Sequence, residues 1–333
     1  MMNKKIRWGI LGTGRIAQKF ASDLKYIEDA ELHAVASRSK TNAAIFAQLY
    51  PAALQYDDYH TLAKDPQTDI IYVATPHGLH FEHVMLCLQH GKAVLCEKAF
   101  AVNSSQTKSM IAAAKEQKVF LMEALWSKFT PQWQKMTDII HSGQLGEIKN
   151  VIINFGFVPQ PPVAERLFSP ALGGGTLLDI GVYNVFYALS ALGKPDYIDA
   201  RMTPASTGID EQCAVLFRYN SGAMAQLFSS YCTHLATEAD ISGSKGRLRL
   251  THRFYTPDST LEFYPGRADS KVIVPVEQTE GFGYHYEARH AGDCLRKGLT
   301  ESPVMTHADT VLLMETMDEI RRKAGIQYPA DTK

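Results

Sequence analysis

Short apolar runs alternate with longer segments of helical periodicity over residues 1–124. This alternation is typical of βαβ units, in which helices connect parallel strands. The predicted strands cover residues 6–11, 32–37, 70–74, 93–96 and 119–123, and the predicted helices cover residues 16–25, 40–49, 80–90 and 104–117. We therefore predict that residues 1–124 form an α/β domain around a parallel sheet.

The pattern changes after residue 130, where alternating, β-branched and aromatic segments are separated by turn residues. Strands are predicted at residues 151–157, 212–219, 223–230, 238–243, 247–251, 260–264 and 271–276, and helices at residues 133–141, 177–192, 284–297 and 307–324. This pattern predicts a second α/β domain, residues 125–333, with an open, largely antiparallel sheet. Its C-terminal helix could pack back on the first domain.

The composition is that of an ordinary globular protein, with 45% hydrophobic and 21% charged residues among 333. A formal net charge of -1 gives no bulk attraction for nucleic acid or an anionic membrane, so neither is a predicted partner. The five cysteines are scattered and never spaced as C-x-x-C, which favours a reducing compartment. No signal-peptide pattern and no run of 18 apolar residues is present. We expect a cytoplasmic protein.

A glycine-rich turn follows the first predicted strand and opens the first predicted helix. Its residues are Gly12, Thr13, Gly14, Arg15, Ile16 and Ala17, which read as G-x-G-x-x-A. Gly12 permits the tight turn, Gly14 lets backbone amides approach a pyrophosphate, and Ala17 lets the helix pack closely on the strand. Although such a turn could be purely structural, its position in a βαβ unit predicts a Rossmann dinucleotide-binding domain.

The end of the second predicted strand indicates which dinucleotide is bound. NAD sites usually place a carboxylate there, about 20 residues after the glycines, for the ribose hydroxyls. Here Ser37 and Arg38 occupy this position without a carboxylate. Because a guanidinium can bind phosphate oxygens in a bidentate manner, Arg38 favours NADP, with NAD as the less favoured cofactor. The alternative is a solvated arginine.

Several separated motifs extend over nearly the whole chain and together resemble one known family. They are the glycine turn, Ala74-Thr75-Pro76 with His80, Glu97-Lys98, Met122-Glu123-Ala124-x-Trp126, the segment Gly173-Gly174-Gly175-Thr176 with Asp179-x-Gly181-x-Tyr183, and Ile241-Ser242-Gly243-Ser244-Lys245-Gly246. The chain is thereby identified as a member of the glucose-fructose oxidoreductase, inositol dehydrogenase and MocA (Gfo/Idh/MocA) family.

This resemblance implies a Rossmann domain followed by an α/β domain whose open sheet forms a homodimer interface. It also implies that Ala74, Thr75, Pro76, His80, Glu97 and Lys98 lie beside the cofactor. The family motif E-K-P reads Glu97-Lys98-Ala99 here. The proline that fixes this turn is therefore absent, which leaves the loop geometry open.

A tyrosine stands where many family members have histidine in D-x-G-x-H. The pattern Asp179-x-Gly181-x-Tyr183 resembles the branch containing dimeric dihydrodiol dehydrogenase, NADP-dependent D-xylose dehydrogenase and glucose-fructose oxidoreductase. In that branch the tyrosine is the acid/base. Transferring hydride from a carbinol requires a group that accepts the hydroxyl proton. A phenol with a pKa near 10 can do so when a nearby ammonium, here Lys98, favours the phenolate.

Asp179 and Tyr183 are four residues apart, so a helix places them on one face, where Asp179 could orient Lys98 or a substrate hydroxyl. Tyr183 could instead be a core tyrosine. Trp126, Phe157 and Arg166 are weaker substrate-site candidates, and they could equally belong to the core or to a rigid surface turn.

His77, His80 and His83 lie close together in sequence but lack the further ligands of a recognisable metal site, so no metal is predicted. These observations together predict an NADP-dependent oxidoreductase acting on a carbinol of a sugar, polyol or cyclic trans-diol. One alternative is a non-catalytic NADP(H)-binding regulator. Another is an imine or tetrapyrrole reductase of the same fold.

Overall fold

A computed structural model describes residues 5–266 and 271–332. The strands are β1 (Ile6–Leu11), β2 (Ala30–Ala36), β3 (Leu54–Tyr56), β4 (Ile70–Val73), β5 (Ala93–Glu97), β6 (Leu121–Ala124), β7 (Ile148–Gly156), β8 (Tyr197–Pro204), β9 (Asp210–Arg218), β10 (Met224–Ser230), β11 (Glu238–Gly243), β12 (Gly246–Thr251), β13 (Thr260–Pro265) and β14 (Val272–Ile273).

The α-helices are α1 (Arg15–Asp23), α2 (Lys40–Leu49), α3 (Tyr59–Lys64), α4 (His80–Gln89), α5 (Ser104–Gln117), α6 (Pro131–His141), α7 (Val182–Leu192), α8 (Tyr284–Arg296) and α9 (His307–Ala324). Short 3-10 segments cover Leu24–Tyr26, His77–Leu79, Trp126–Phe129, Glu165–Leu167, Pro170–Leu172 and Pro329–Thr332. A π-helical segment, Leu177–Gly181, runs directly into α7.

The described chain forms two compact units. The first contains the residues up to Trp126 together with Glu280–Val311, and the second contains Ser127–Thr279 together with the residues from Leu312 onward. The sequence-based division gave residues 125–333 to one domain, whereas the structure joins α8 and the start of α9 to the first unit. The cause is visible at Asp23 of α1, whose buried carboxylate accepts hydrogen bonds from the backbone N–H groups of Phe282 and Tyr284.

The first unit contains a parallel sheet in the order β3-β2-β1-β4-β5-β6. This order is that of a Rossmann fold, in which successive strands are added on one side of β1 up to β3 and on its other side from β4 onward, so the strand order reverses between β1 and β4. On one face, buried Leu11, Val73 and Val94 pack with Val84 of α4 and Met110 of α5. A parallel sheet with helices against it explains why its strands read as continuous apolar runs.

The second unit contains a sheet in the order β14-β13-β12-β11-β7-β10-β9-β8. Its neighbouring strands are antiparallel except β7 and β10, which are parallel. Helix α7 packs against β7 and β10. The side chain of Trp133 from α6 stacks on Phe186 of α7, with ring centroids 4.6 Å apart. The predicted fold class, a parallel Rossmann sheet followed by a largely antiparallel α/β domain, is confirmed.

Three elements were missed by the sequence analysis, and each has weak periodicity. Strand β3 and helix α3 are too short to show a pattern, and β8 is largely exposed and ends at Pro204. The strand predicted at residues 271–276 shortens to β14. Helix α5 is capped by the side chain of Asn103, which accepts from the Gln106 N–H.

One helical stretch of the described chain, Pro170–Leu192, is long and apolar enough to cross a membrane by length and composition. However, 83% of its apolar window is buried inside the structure, as expected for a core helix. The predicted absence of a membrane partner stays a prediction.

Candidate active site

The glycine turn lies at the switch point of the parallel sheet. Gly12 has φ +103°, a left-handed conformation that glycine adopts without a Cβ clash. A Cβ at this position would lie 3.0 Å from the carbonyl oxygen of Ala74 and 3.3 Å from Cγ2 of Thr75. Gly12 therefore allows the turn after β1 to approach the turn after β4, which carries Thr75 and Pro76.

The N-terminus of α1 is available for an anion. Gly14 is its N-cap residue, with no side-chain cap and no acidic residue in the first turn. A Cβ on Gly14 would meet no atom within 4 Å, so open space lies next to the free amides of this turn, beside Arg15 and Ile16. Free amides and the positive end of a helix dipole suit a pyrophosphate. These residues therefore fit the dinucleotide that the sequence predicts.

The segment after β2 leaves Arg38 exposed beside the same turn. The Thr13 hydroxyl contacts Ser37 Oγ at 3.4 Å, and Ser37 Oγ also accepts from the Ser39 N–H. Burial raises the pKa of the Tyr59 phenol, and the nearby Arg38 charge partly opposes that rise. Arg38 thus stands at the β2 end in electrostatic contact with Tyr59, where a 2′-phosphate would be bound in this fold.

His80 is completely buried and connects two loops of the first unit. Its Nε2 lies 2.7 Å from the Thr75 carbonyl oxygen, and its Nδ1 lies 2.9 Å from the Ala99 carbonyl oxygen. Burial lowers the pKa of His80 to about 4, which favours the neutral ring. Both ring nitrogens face protein carbonyls, so His80 connects these two loops, and its predicted position beside the cofactor stays a prediction.

The Glu97–Lys98 turn follows β5 directly. The buried carboxylate of Glu97 accepts from the Tyr72 hydroxyl through Oε1 and from the Lys98 N–H through Oε2, the latter at 3.2 Å. The Lys98–Ala99 peptide bond is cis. Glu97 therefore supports the turn that presents Lys98, and its predicted contact with the cofactor stays a prediction.

In the second unit, Asp179 and Tyr183 stand on either side of a change in helix type. Asp179 lies within the π-helical segment, and Tyr183 lies in the first turn of α7. The single helix predicted over residues 177–192 is thus two helical types in series. π-Helical turns are frequent at functional sites, and this one breaks the simple four-residue facing relation.

Asp179 is fixed by two donors. Arg166 Nη1 donates to Oδ1 at 3.2 Å, and the Tyr231 hydroxyl donates to Oδ2 at 2.8 Å. Burial, followed by the charge of Asp179, raises the pKa of Tyr231 well above its ordinary value, so Tyr231 stays a protonated donor. Arg166 therefore contacts the Asp179 carboxylate, a partner that sequence reasoning did not assign to it.

Aromatic rings surround Tyr183, which is itself buried. The Tyr183 ring lies 4.7 Å from that of Tyr255 and 6.2 Å from that of Phe155. Phe157 packs edge-on against Tyr231 with centroids 5.3 Å apart. Burial raises the pKa of Tyr255 to about 12, which keeps it a neutral phenol. These rings form an apolar wall beside Tyr183 and Asp179 within the second unit.

The sequence-predicted residues are divided between the units. Lys98 and Trp126 belong to the first unit, where Trp126 stacks on Tyr284 at 4.6 Å, and Tyr183 belongs to the second. The action of Lys98 on Tyr183 therefore stays a prediction. Sequence reasoning missed Tyr231 and Tyr255; Tyr231 directly follows β10, but no motif marks either side chain.

Within residues 5–266 and 271–332, no group of three or more His, Cys, Asp or Glu side chains is arranged to hold a metal ion. His83, one of the three histidines considered, has Nδ1 2.9 Å from the Thr75 hydroxyl. That no metal is bound stays a prediction.

Comparison with known proteins extends over nearly the whole chain. A family model described as an oxidoreductase family with an NAD-binding Rossmann fold (GFO_IDH_MocA) matches residues 6–125, and a GFO/IDH/MocA C-terminal domain model matches residues 133–249. Trans-1,2-dihydrobenzene-1,2-diol dehydrogenase from Xenopus laevis is 36% identical over 97% of this chain and 99% of its own length. The enzyme of the same name from Homo sapiens is 34% identical over 98% and 99%.

Solved structures are similar as well. A 3-ketoreductase from Actinomadura kijaniata in complex with NADP and TDP-benzene has a TM-score of 0.87 at 25% identity, covering 96% of this chain and 98% of that one. An aldose-aldose oxidoreductase from Caulobacter crescentus has a TM-score of 0.87 at 23% identity, covering 97% and 98%, a likeness of fold alone.

Proposed function

The chain belongs to the Gfo/Idh/MocA oxidoreductase family, and on this basis we propose that it is an NADP-dependent oxidoreductase. It transfers hydride between the nicotinamide and a carbinol of a cyclic trans-diol, sugar or polyol. The observation that carries this proposal is the 34–36% identity to trans-dihydrodiol dehydrogenases over nearly the full length of both chains. The Gly12 turn, the uncapped α1 N-terminus and Arg38 fit NADP.

The first unit holds the nucleotide. The amides at the start of α1 bind the pyrophosphate, and Arg38 binds the 2′-phosphate. Ala74 and Thr75 lie next to Gly12, and His80 connects the Thr75 carbonyl to that of Ala99. When bound, NADP supplies the hydride acceptor or donor.

The second unit supplies the group that transfers the proton of the substrate hydroxyl. Tyr183 Oη accepts the proton of the substrate hydroxyl during oxidation and returns it during reduction. The resemblance to the family, and not the structure, supplies Lys98 as the cation that favours the phenolate of Tyr183. Asp179, fixed by Arg166 and Tyr231, orients the substrate hydroxyl. The rings of Tyr255 and Phe157 exclude water from one side of this site.

We also propose a cytoplasmic homodimer that associates through the second sheet. Pairing of Tyr197 with Arg218 and of Arg218 with Met224 places Tyr197 and Met224 on one face, and both are exposed. Ile152 is exposed on the neighbouring strand β7. Exposed apolar side chains on one sheet face support association. The cysteines are all free, which agrees with a reducing compartment.

The proposed activity is tested by following nicotinamide absorbance with purified protein, NADP⁺ or NAD⁺, and a panel of trans-dihydrodiols, aldoses and polyols. We expect reduction of NADP⁺ with at least one member of the panel, and slower reduction of NAD⁺. The reverse reaction is followed with NADPH and the matching carbonyl compounds. Binding of NADPH without turnover in either direction would favour a non-catalytic NADP(H)-binding regulator. Oxidation of NADPH by imines or tetrapyrroles alone would favour an imine or tetrapyrrole reductase.

Replacing Arg38 with alanine is expected to weaken NADP⁺ binding by about 10- to 100-fold, the effect of losing a charged hydrogen bond to phosphate. Binding of NAD⁺, which lacks the 2′-phosphate, is expected to stay unchanged and provides the internal control. Both dissociation constants are measured by calorimetric titration. An equal loss for both dinucleotides would show that Arg38 has no selective role.

A further inference from the structure

The helical run over residues 177–192 carries Asp179 and Tyr183, and its first turn is buried. The N–H groups of a first helical turn have no acceptor within the helix itself. Thr176, the N-cap residue, makes no side-chain cap hydrogen bond to them. An acceptor from another part of the fold is therefore needed at this end of the run.

Asp210, the first residue of β9, supplies this acceptor. Its Oδ2 accepts from the Leu177 N–H at 2.7 Å and from the Thr176 hydroxyl at 2.8 Å. The side chain is completely buried, and Oδ1 has no hydrogen-bond partner among the described residues. Both hydrogen bonds therefore join Asp210 to the start of the helical run.

The glycine before this turn leaves room for the carboxylate. Gly175 has φ +98°, and a Cβ at this position would collide with Oδ1 of Asp210 and lie 2.9 Å from Cγ1 of Ile209. Only a residue without a Cβ lets the start of β9 come this close. The carboxylate and the glycine thus fit each other.

The charge of Asp210 suits its place at a helix start. Burial raises the pKa of Asp210 to about 6, and the hydrogen bonds from Thr176 and Leu177 oppose this rise. At about pH 8 the carboxyl group is therefore ionised. Hydrogen bonds to an ionised acceptor are stronger than those to a neutral one, and a negative charge is stabilised at a helix N-terminus.

Strand β10, which pairs with β9, holds the same helical run at further points. Ser229 Oγ donates to the Thr176 hydroxyl oxygen at 3.0 Å. Asn184 Nδ2 donates to the Phe228 carbonyl oxygen at 2.9 Å. The run is thus attached to the sheet on both sides of Asp179, and Asp210 provides the attachment at its first turn.

We propose that Asp210 is a positioning residue that fixes Asp179 and Tyr183 by anchoring the start of their helical run. It acts through the backbone of the run, and Tyr183 still transfers the proton. This inference rests on the proposed function, because the position of the run matters for turnover only if Tyr183 takes part in it. The anchoring itself does not depend on turnover and can be tested separately.

The anchoring is tested by hydrogen–deuterium exchange of the full chain, followed by mass spectrometry on peptides that cover residues 177–183. Asp210→Leu removes the acceptor without leaving a buried charge, and we expect it to speed exchange of these amides by about 10-fold or more. Asp210→Asn keeps an amide oxygen for the two donors and is expected to exchange like the wild type. Peptides from β5 provide the internal reference.

The effect on catalysis is measured by steady-state kinetics with the best substrate of the panel. Asp210→Leu is expected to lower kcat by about 10- to 100-fold, since a displacement of Tyr183 by about 1 Å is enough for such a loss. The KM for the carbinol substrate should rise because Asp179 moves too, whereas the KM for NADP⁺ should not change. Asp210→Asn should keep both KM values and most of kcat. Loss of folded protein alone would leave both KM values unchanged.

Thr176→Val and Thr68→Val form a matched pair of variants. Each threonine is buried and donates its hydroxyl to an aspartate at 2.8 Å, Thr176 to Asp210 in the second unit and Thr68 to Asp65 in the first. Both variants remove a donor from a buried carboxylate, so both should be destabilised. Only Thr176→Val should lower kcat and speed exchange at residues 177–183.

Wild-type exchange in Asp210→Leu would overturn the proposal, and so would faster exchange with wild-type kcat and KM values. Equal damage in Asp210→Asn and Asp210→Leu would also contradict it, because the acceptor would then not be the cause. If Asp210→Leu does not fold, Thr176→Val and Asp210→Asn decide by the same two measurements. If the wild type turns over no substrate, the exchange result still decides whether Asp210 anchors the run. Failure of the proposed function is thereby distinguished from failure of this inference.

Discussion

Tyr183→Phe is expected to lower kcat by about 10²- to 10⁴-fold, the usual contribution of a positioned proton-transfer group. The substitution removes only the hydroxyl, so the ring contacts with Tyr255 and Phe155 remain. Binding of NADPH and the thermal unfolding midpoint are expected to stay close to those of the wild type. Steady-state kinetics with the best substrate, a fluorescence titration with NADPH and calorimetry measure these three quantities.

Tyr187→Phe is the matched control, since Tyr187 lies four residues further along α7 and is also buried. Its hydroxyl donates to the Phe254 carbonyl oxygen at 3.1 Å, so its loss should cost about 1 kcal/mol of stability. Its kcat should be unchanged. Full turnover by Tyr183→Phe would assign the proton transfer to another group.

The nucleotide half of the candidate site was largely predictable from sequence because its determinants are local. Gly12 and Gly14 lie within one turn, and the structure gives each the conformation or free space that the motif requires. The strands around them are buried and apolar, so their limits could be read to within one or two residues. The fold class followed from the same alternation of short apolar runs and helical segments.

The substrate half was predictable only where a motif marks it. Asp179 and Tyr183 were identified from such a pattern, but their partners come from distant strands. Tyr231 follows β10, and Tyr255 lies between β12 and β13. Periodicity cannot decide which side chain at a strand end points to the helix that packs on the sheet. A one-residue change of strand register would turn each side chain to the opposite face of the sheet.

His80 and Glu287 show a second limit. The sequence marked His80 only as a residue beside the cofactor and did not show that its ring nitrogens face the Thr75 and Ala99 carbonyls. Glu287 interrupts an apolar helix face, a pattern more typical of a boundary position than of complete burial.

Gly175→Ala is expected to destabilise the second unit by about 4 kcal/mol, which lowers its unfolding midpoint by about 10 °C. Gly175 has φ +98°, and an added Cβ would lie 2.2 Å from Asp210 Oδ1 and 2.9 Å from Ile209 Cγ1. The Asp210 side chain cannot move away without losing hydrogen bonds, since its Oδ2 accepts from the Leu177 N–H at 2.7 Å and from the Thr176 hydroxyl at 2.8 Å. Displacing it breaks the contacts that begin the helical segment carrying Asp179.

Gly208→Ala separates backbone strain from this collision. Gly208 lies in the same unit with φ +85°, and a Cβ there would meet no atom within 4 Å. Gly208→Ala should therefore lower the free energy of unfolding by only about 1–2 kcal/mol, the cost of a left-handed conformation at alanine. Calorimetry of the two variants should therefore show a clearly larger loss for Gly175→Ala, accompanied by a lower kcat because Asp179 moves with the segment. Equal losses of stability in the two variants would mean that Asp210 accommodates the added methyl group. Gly175 would then be needed only for the left-handed conformation of its turn.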